Sequence, residues 1–227
     1  MFTGFTDETV QFFLDLRFHN NTSYFHENHD RYLETVQKPF YEFIEDLAPH
    51  MRKVDPLMEV LPYKCLSHIH RDTRFSKDKS PYRDHLWFLF RRAAEPREKS
   101  LMYYFEFGQA GMGWGLGFWG ENRECMDQFR RKMVANPDGV LAMIDDLDLD
   151  KRKLILDGRA FRRLEIPPVV PPRLQPWYRM REMYIAKANP DYKLAFSDRV
   201  FLEVKRDFLS LSPLYQYLRG ICDENQT

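Results

Sequence analysis

Residues 101–120 read "LMYYFEFGQAGMGWGLGFWG", and their pattern decides the fold. Aromatics are dense in it and alternation is visible. "LMYYFEF" (101–107) and "GWGLGFW" (113–119) therefore read as successive strands, with "GQAGMG" between them as a hairpin or wider turn. The glycines at 111, 113, 115 and 117 recur every second residue, which puts them on one face of a strand. Trp114, Leu116 and Phe118 then stand on the other face. A bare backbone face lets a helix, a ring or a ligand lie flat on it. Gly115, Gly117 and Gly120 also spell G-x-G-x-x-G, the spacing of a dinucleotide-binding turn. The strand before it alternates, whereas a buried parallel strand is apolar throughout, so a close-packed glycine face is the expectation.

Helices flank this centre. Thr6 can cap "DETVQFFLDLRF", and Asn20–Asn21 break that helix, because Asn tolerates left-handed geometry and caps well. "YFHENHDRYLETV" reads as a second helix and "PFYEFIEDLAPHM" as a third, opened by Pro39. From residue 62 the pattern turns to strands: "KCLSHIH" leads in, and "HLWFLFRR" fits either helix or strand. After the centre, "ENRECMDQFRRKMV" is helical, and "NPDGVLAMIDDL" is a short helix with Asn136 as cap and Pro137 at its first position. "KLILDGRAFRRL" reads as a hairpin turning at Asp157–Gly158. "IPPVVPPRLQPW" reads as an extended connector. "WYRMREMYIAKA", "DRVFLEVKRDFL" and a short segment after Pro213 read as helices. The order is α+β rather than a regular βαβ alternation. It predicts a single domain over residues 1–227, with N-terminal helices, a mainly antiparallel central sheet and C-terminal helices.

Composition narrows the function. The 34 Lys and Arg balance 34 Asp and Glu, so no whole-protein field points to nucleic acid or an anionic membrane. With 19 Phe, 12 Tyr and 4 Trp, the chain can fill a large core. Three cysteines, Cys65, Cys125 and Cys222, are far apart and odd in number, so three reduced thiols are expected. The start "MFTGFTDETVQFF" lacks a basic segment followed by an apolar run, and no stretch approaches the ~20 apolar residues of a membrane span. A soluble, cytoplasmic protein is expected, with no nucleic acid or membrane as partner. His26/His29 and His68/His70 sit at pair spacings for a metal, with Asp72 extending the second pair, but neither has a clear third ligand; no metal or cofactor is expected. No nucleophile elbow, phosphate-cradling loop with Lys, or H-E-x-x-H helix appears, and neither Ser76 nor Ser80 has a convincing base.

The charge is concentrated in one place. "HRDTRFSKDKSPYRD" (70–84) carries Arg71, Arg74, Lys77, Lys79 and Arg83 close to Asp72 and Asp78. Guanidinium forks, lysine point charges, a tyrosine hydroxyl and loop N–H groups together suit an oxyanion. Asp72 would fix one Arg in place, and Pro81 would fix the loop's exit. The same residues also suit a loop that ties itself down through Arg–Asp pairs, and both readings stand at this point.

The residues of this stretch, "RDTRFSKDKSPYR" (71–83), resemble the signature of the domain of unknown function 2461 family, small proteins of bacteria and fungi. The N-terminal block through Asn20–Asn21, Phe25 and Tyr32 is similar to that family too. So are "YYFEF…GLGFWGENRECMDQFR" and "GRAFRRLEIPPVVPP". The resemblance implies one α+β domain of about this length. It also marks Arg71, Asp72, Arg74, Phe75, Lys77, Asp78, Lys79, Pro81 and Tyr82 as a characteristic cluster. It carries no activity with it. His68 stands where the family typically has Arg, which exchanges a fixed cation for a titratable one.

The expectation is thus a protein that binds a small anionic or phosphorylated ligand through Arg71, Arg74, Lys77, Lys79 and Tyr82, with Asn20, Asn21 and Trp114 nearby. If chemistry occurs, His70, Asp72 and Tyr82 are the acid–base candidates. The alternative is a structural or interaction module whose basic loop is braced by internal salt bridges and whose "IPPVVPPRLQPWY" surface meets a partner.

Overall fold

The computed structural model describes residues 1–187 and 192–224. The chain begins with α1 (Asp7–Phe18), α2 (Thr22–Glu27), α3 (His29–Tyr32), α4 (Lys38–Val54) and the short α5 (Pro62–Cys65). Strands β1 (His85–Phe90), β2 (Leu101–Gly108) and β3 (Gly111–Phe118) follow. Then come α6 (Arg123–Ala135), α7 (Pro137–Asp145), α8 (Leu149–Arg152), β4 (Leu154–Ala160), α9 (Gln175–Arg179), β5 (Met180–Lys187), α10 (Arg199–Ser210) and α11 (Ser212–Glu224). The strands form one five-stranded antiparallel sheet in the order β1-β2-β3-β5-β4, and the class is α+β. Among the described residues no helix is long and apolar enough to cross a membrane.

Contacts divide the chain into two compact units. The first holds residues 1–90, 104–114 and 189–205, and the second holds 91–103, 115–188 and 206–227.

In the first unit, Thr6 caps α1 as its sequence predicts, and the Thr9 side chain returns the bond to the Thr6 N–H. Asn21 caps α2 by accepting from the Tyr24 N–H. The expected second and third helices are not separated. A π-helical turn over Leu33–Gln37 joins α3 directly to α4. The cause is Pro39. It has no N–H to offer Thr35, and its ring crowds that carbonyl, so the turn widens. The fully buried Thr9 hydroxyl donates to the Thr35 carbonyl instead, at 2.7 Å. "KCLSHIH" is not a strand: it holds the end of α5 and two isolated antiparallel bridges, Leu66 to Phe88 and His70 to Tyr82. "HLWFLF" is the strand β1. The core is aromatic. Phe43 sits fully buried among Phe2, Phe5, Phe88, Phe105 and Phe201, with ring centroids 4.4–6.2 Å away.

In the second unit, Asn122 and Asn136 cap α6 and α7 through their side chains. Leu116 and Phe118 are buried, as the glycine alternation predicts, and the bare face at Gly117 is covered by Met183 and Tyr184 of β5. Two expectations fail here. Asp157–Gly158 is not a hairpin turn; it lies inside β4, which pairs along its length with β5. Gly158 takes φ +120°, and a Cβ there would collide with the Glu182 carbonyl, so the glycine serves a close strand approach instead of a reversal. "MREMYIAK" is β5, not helix. It sits between β3 and β4, and pairing on both sides outweighs the helix preference of Met, Glu, Ala and Lys. Ala188, the last residue of that expected helix, lies outside the described residues.

The proline segment is partly seated, with Val170, Leu174 and Trp177 buried and Val169 exposed. Asp207 is fully buried and receives hydrogen bonds from Lys187 Nζ at 3.1 Å and from the Arg206 guanidinium. The expectation of three reduced thiols is also corrected. Cys125 of α6 and Cys222 of α11 form a disulfide across 97 residues of sequence, their Cα atoms 5.1 Å apart. Sequence distance hid the pair, because two helices packed side by side bring remote cysteines together. Cys65 stands outside this disulfide, buried, with its thiol donating to the Glu59 carbonyl at 3.3 Å.

Candidate functional site

The basic stretch lies in the first unit as an irregular loop closed at its base. The Arg71 N–H donates to the Pro81 carbonyl at 2.8 Å and the Arg83 N–H to the Ile69 carbonyl at 2.9 Å, flanking the His70–Tyr82 bridge. Asn20 grips the far strand of this base. Its amide donates to the Tyr82 carbonyl and its carbonyl accepts from the Tyr82 N–H, both at 2.9 Å. The Tyr82 ring is buried and stacks on Phe25 at 4.2 Å. Asn20→Ala is expected to lower the unfolding free energy by about 1–3 kcal/mol, since it orphans two backbone groups at once. Urea unfolding would show this, and proteolysis within residues 71–80 would quicken.

Above the base the loop's cations are mostly answered by its own acceptors. Arg71 pairs with Asp78. Arg74 is bidentate on Asp72, at 3.0 and 2.7 Å. Lys79 Nζ donates to the Thr73 carbonyl at 2.8 Å. Ser80 donates to Asp78 through its N–H at 2.9 Å and its hydroxyl at 2.6 Å. Lys77 is exposed, and Phe75 is 96% exposed at the loop's tip. The Arg74 side chain and its own N–H hold the Asp72 carboxyl down to about 2. The Asp78 carboxyl is lowered further, by Ser80 first and Arg71 second. A depressed carboxyl stabilises the fold above its unfolded pKa, and that contribution disappears as pH falls through the folded value. The Arg74–Asp72 pair therefore outlasts ordinary carboxylates on acidification. A carbon-detected titration of Asp72 should show a midpoint near 2 that returns toward 3.8 in Arg74→Ala; an unchanged midpoint would contradict the pairing.

The loop's inner side borders a cleft of about 410 Å³. Arg71, Asp78, Ser80 and Tyr82 come from the loop, and Arg83, Asp84 and His85 from the run into β1. Arg17 and Asn20 come from the end of α1 and the break after it. Three guanidinium residues thus share one hollow with two carboxylates. The Arg17 side chain carries no hydrogen bond or ion pair among the described residues. Arg83 donates through Nε to the His68 carbonyl at 3.2 Å, and its guanidinium lies 4.7 Å over the Trp87 ring. His85 Nδ1 and Asp84 Oδ1 are 2.9 Å apart. Burial pushes the Asp84 carboxyl up, but the bond to His85 and the charges of His85 and Arg17 outweigh it and hold it below the usual range.

Of the residues singled out from sequence, Arg71, Asn20 and Tyr82 line this cleft; Arg74, Lys77 and Lys79 are not among its lining. Asn21 is the cap of α2, and Trp114 is fully buried, 6.4 Å from Phe105. His70 is exposed beside the Tyr82 ring at 4.9 Å, and Asp72 is engaged by Arg74. Arg83, counted among the stretch's cations but not in the expected ligand set, lines the cleft as well, and Arg17, Asp84 and His85 were missed. The Asp–His step just past the charged stretch was a legible signal; Arg17, 54 residues before Arg71, was not. Among the described residues no three His, Cys, Asp or Glu side chains group as a metal site.

The family described as "Conserved hypothetical protein (DUF2461)" matches residues 8–217 of the chain. No curated protein matches it.

Proposed function

The chain belongs to the DUF2461 family of conserved hypothetical proteins, and for this member we propose that the cleft beside the basic loop binds a small anionic or phosphorylated molecule. The observation that carries the reading is the gathering of Arg17, Arg71 and Arg83 around one hollow of about 410 Å³. Arginine forks suit phosphate and carboxylate oxygens, and Ser80 and Asn20 add neutral polar groups to the wall. Arg74 and Lys79, outside the lining, act by bracing the loop. Lys77 adds only to the local field, within about 10 Å at ordinary salt. The bracing supports the alternative of a purely structural loop, and it also serves binding. An Arg71 already held by Asp78 loses less freedom when a ligand arrives. Were the site to catalyse, His85 oriented by Asp84 fits a proton-transfer role by geometry better than the exposed His70, the engaged Asp72 or the buried Tyr82.

A thermal-shift panel of phosphate, nucleotides and carboxylates tests the reading. Ligand at ~100-fold over its Kd adds about 2.7 kcal/mol to the folded state and raises the midpoint. An Arg17→Ala/Arg83→Ala protein should fold and lose that rise. No rise with any anion, or a rise that survives in the variant, would refute it.

A further inference from the structure

We infer that the ligand of this cleft is a zwitterion, carrying an ammonium group as well as an anionic one. The inference rests on the anion reading above and adds the other half of the molecule. A second cleft, of about 290 Å³, shares Asp84 and His85 with the first. Its remaining wall is the end of β2 and the turn into β3, and it holds Glu106 and Gln109. Glu106 is exposed, and its side chain carries no hydrogen bond or ion pair among the described residues. Its carboxylate lies against the bare backbone of Gly113, where a Cβ would stand 3.4 Å from Oε1. Asp84 and His85 wall both clefts, and His85 packs directly onto Gly108. A Cβ at Gly108 would collide with the His85 Cβ and the Asp84 carbonyl. Glycine is therefore required at this contact.

The two clefts differ in balance. Arg17, Arg71 and Arg83 line the first with Asp78 and Asp84, whereas Glu106 and Asp84 line the second with no Arg or Lys. A purely anionic ligand would leave the Glu106 lobe unused and would gain nothing from its negative charge. A ligand with an anionic end against Arg17 and an ammonium end toward Glu106 answers both open charges, and matching potentials of this kind select partners. The anionic end can be phosphate or carboxylate, since both take guanidinium forks.

Titration calorimetry of inorganic phosphate, ethanolamine, phosphoethanolamine and β-alanine separates the possibilities. Phosphoethanolamine is expected to bind about tenfold tighter than phosphate, a margin of about 1.4 kcal/mol. Ethanolamine alone should be weak. β-Alanine matching phosphoethanolamine would assign the anionic end to a carboxylate; β-alanine well behind it would assign it to phosphate. Glu106→Gln, a change at an exposed side chain, should erase the phosphoethanolamine margin and leave phosphate binding intact. Equal affinities for phosphate and phosphoethanolamine, or a margin that survives Glu106→Gln, would overturn the zwitterion alone. Absence of binding by phosphate, phosphoethanolamine and β-alanine alike would overturn the anion reading and this one with it.

Discussion

Replacing Phe43 by Ala is expected to cost the first unit about 3–5 kcal/mol, a large share of the 5–15 kcal/mol that holds an ordinary domain together. Phe43 is the centre of an aromatic cluster that draws on four other segments of the sequence. It stacks on Phe2 at 4.4 Å from the N-terminal segment and meets Phe88 and Phe105 edge-on from β1 and β2. Phe201 of α10 closes the remaining side at 6.0 Å. Truncation removes a whole ring from a fully buried site, and the surrounding rings are too stiff to refill it. The measurement is the urea midpoint of the variant against the parent. Phe43→Leu, which retains most of the volume, should lose clearly less. A loss under ~1 kcal/mol for Phe43→Ala would mean that the cluster is not packed as described.

The second large effect lies in the other unit. Closing a loop of 97 residues between Cys125 and Cys222 restrains the unfolded chain. In the chain-entropy account a bond of that span stabilises by roughly 4–5 kcal/mol. Cys222→Ser, or reductant added to the parent, should therefore lower the unfolding midpoint substantially, and reductant should have no further effect on the variant. Thiol titration of denatured, unreduced protein should find Cys65 alone reactive. All three thiols reacting would refute the pairing. The result also bears on location. Glutathione keeps most cytosolic cysteines reduced, so trapping free thiols in intact cells tests the cytoplasmic expectation and the disulfide together.

The parts of the fold legible in the sequence were those decided locally. Thr6 and Asn136 announce helix starts because a cap needs only its own side chain and the next turn's N–H groups. The β2–β3 hairpin was legible because its alternation is local as well. β5 was not, since nothing in "MREMYIAK" reveals the two strands that flank it; only the assembled sheet outweighs its helix formers. Asp157–Gly158 misled for the converse reason. The same dipeptide serves a tight turn or a close strand approach, and Glu182 decides which. At the site, sequence located the charge but not its direction. Adjacent residues in an irregular loop point different ways, so Arg71 reaches the cleft while Arg74 folds back onto Asp72. Arg17 joins only because Asn20 draws the end of α1 against the Tyr82 backbone, a contact across 62 residues.

On the function we propose, Arg17, Arg71 and Arg83 together make an anion site. Titration calorimetry of inorganic phosphate into the parent protein and into Arg17→Ala/Arg83→Ala tests it most directly. Saturable binding at millimolar or tighter Kd is expected, weakened about tenfold or more in the variant and by added salt. Equal affinity in the two proteins, or no saturable heat in the parent, would contradict it.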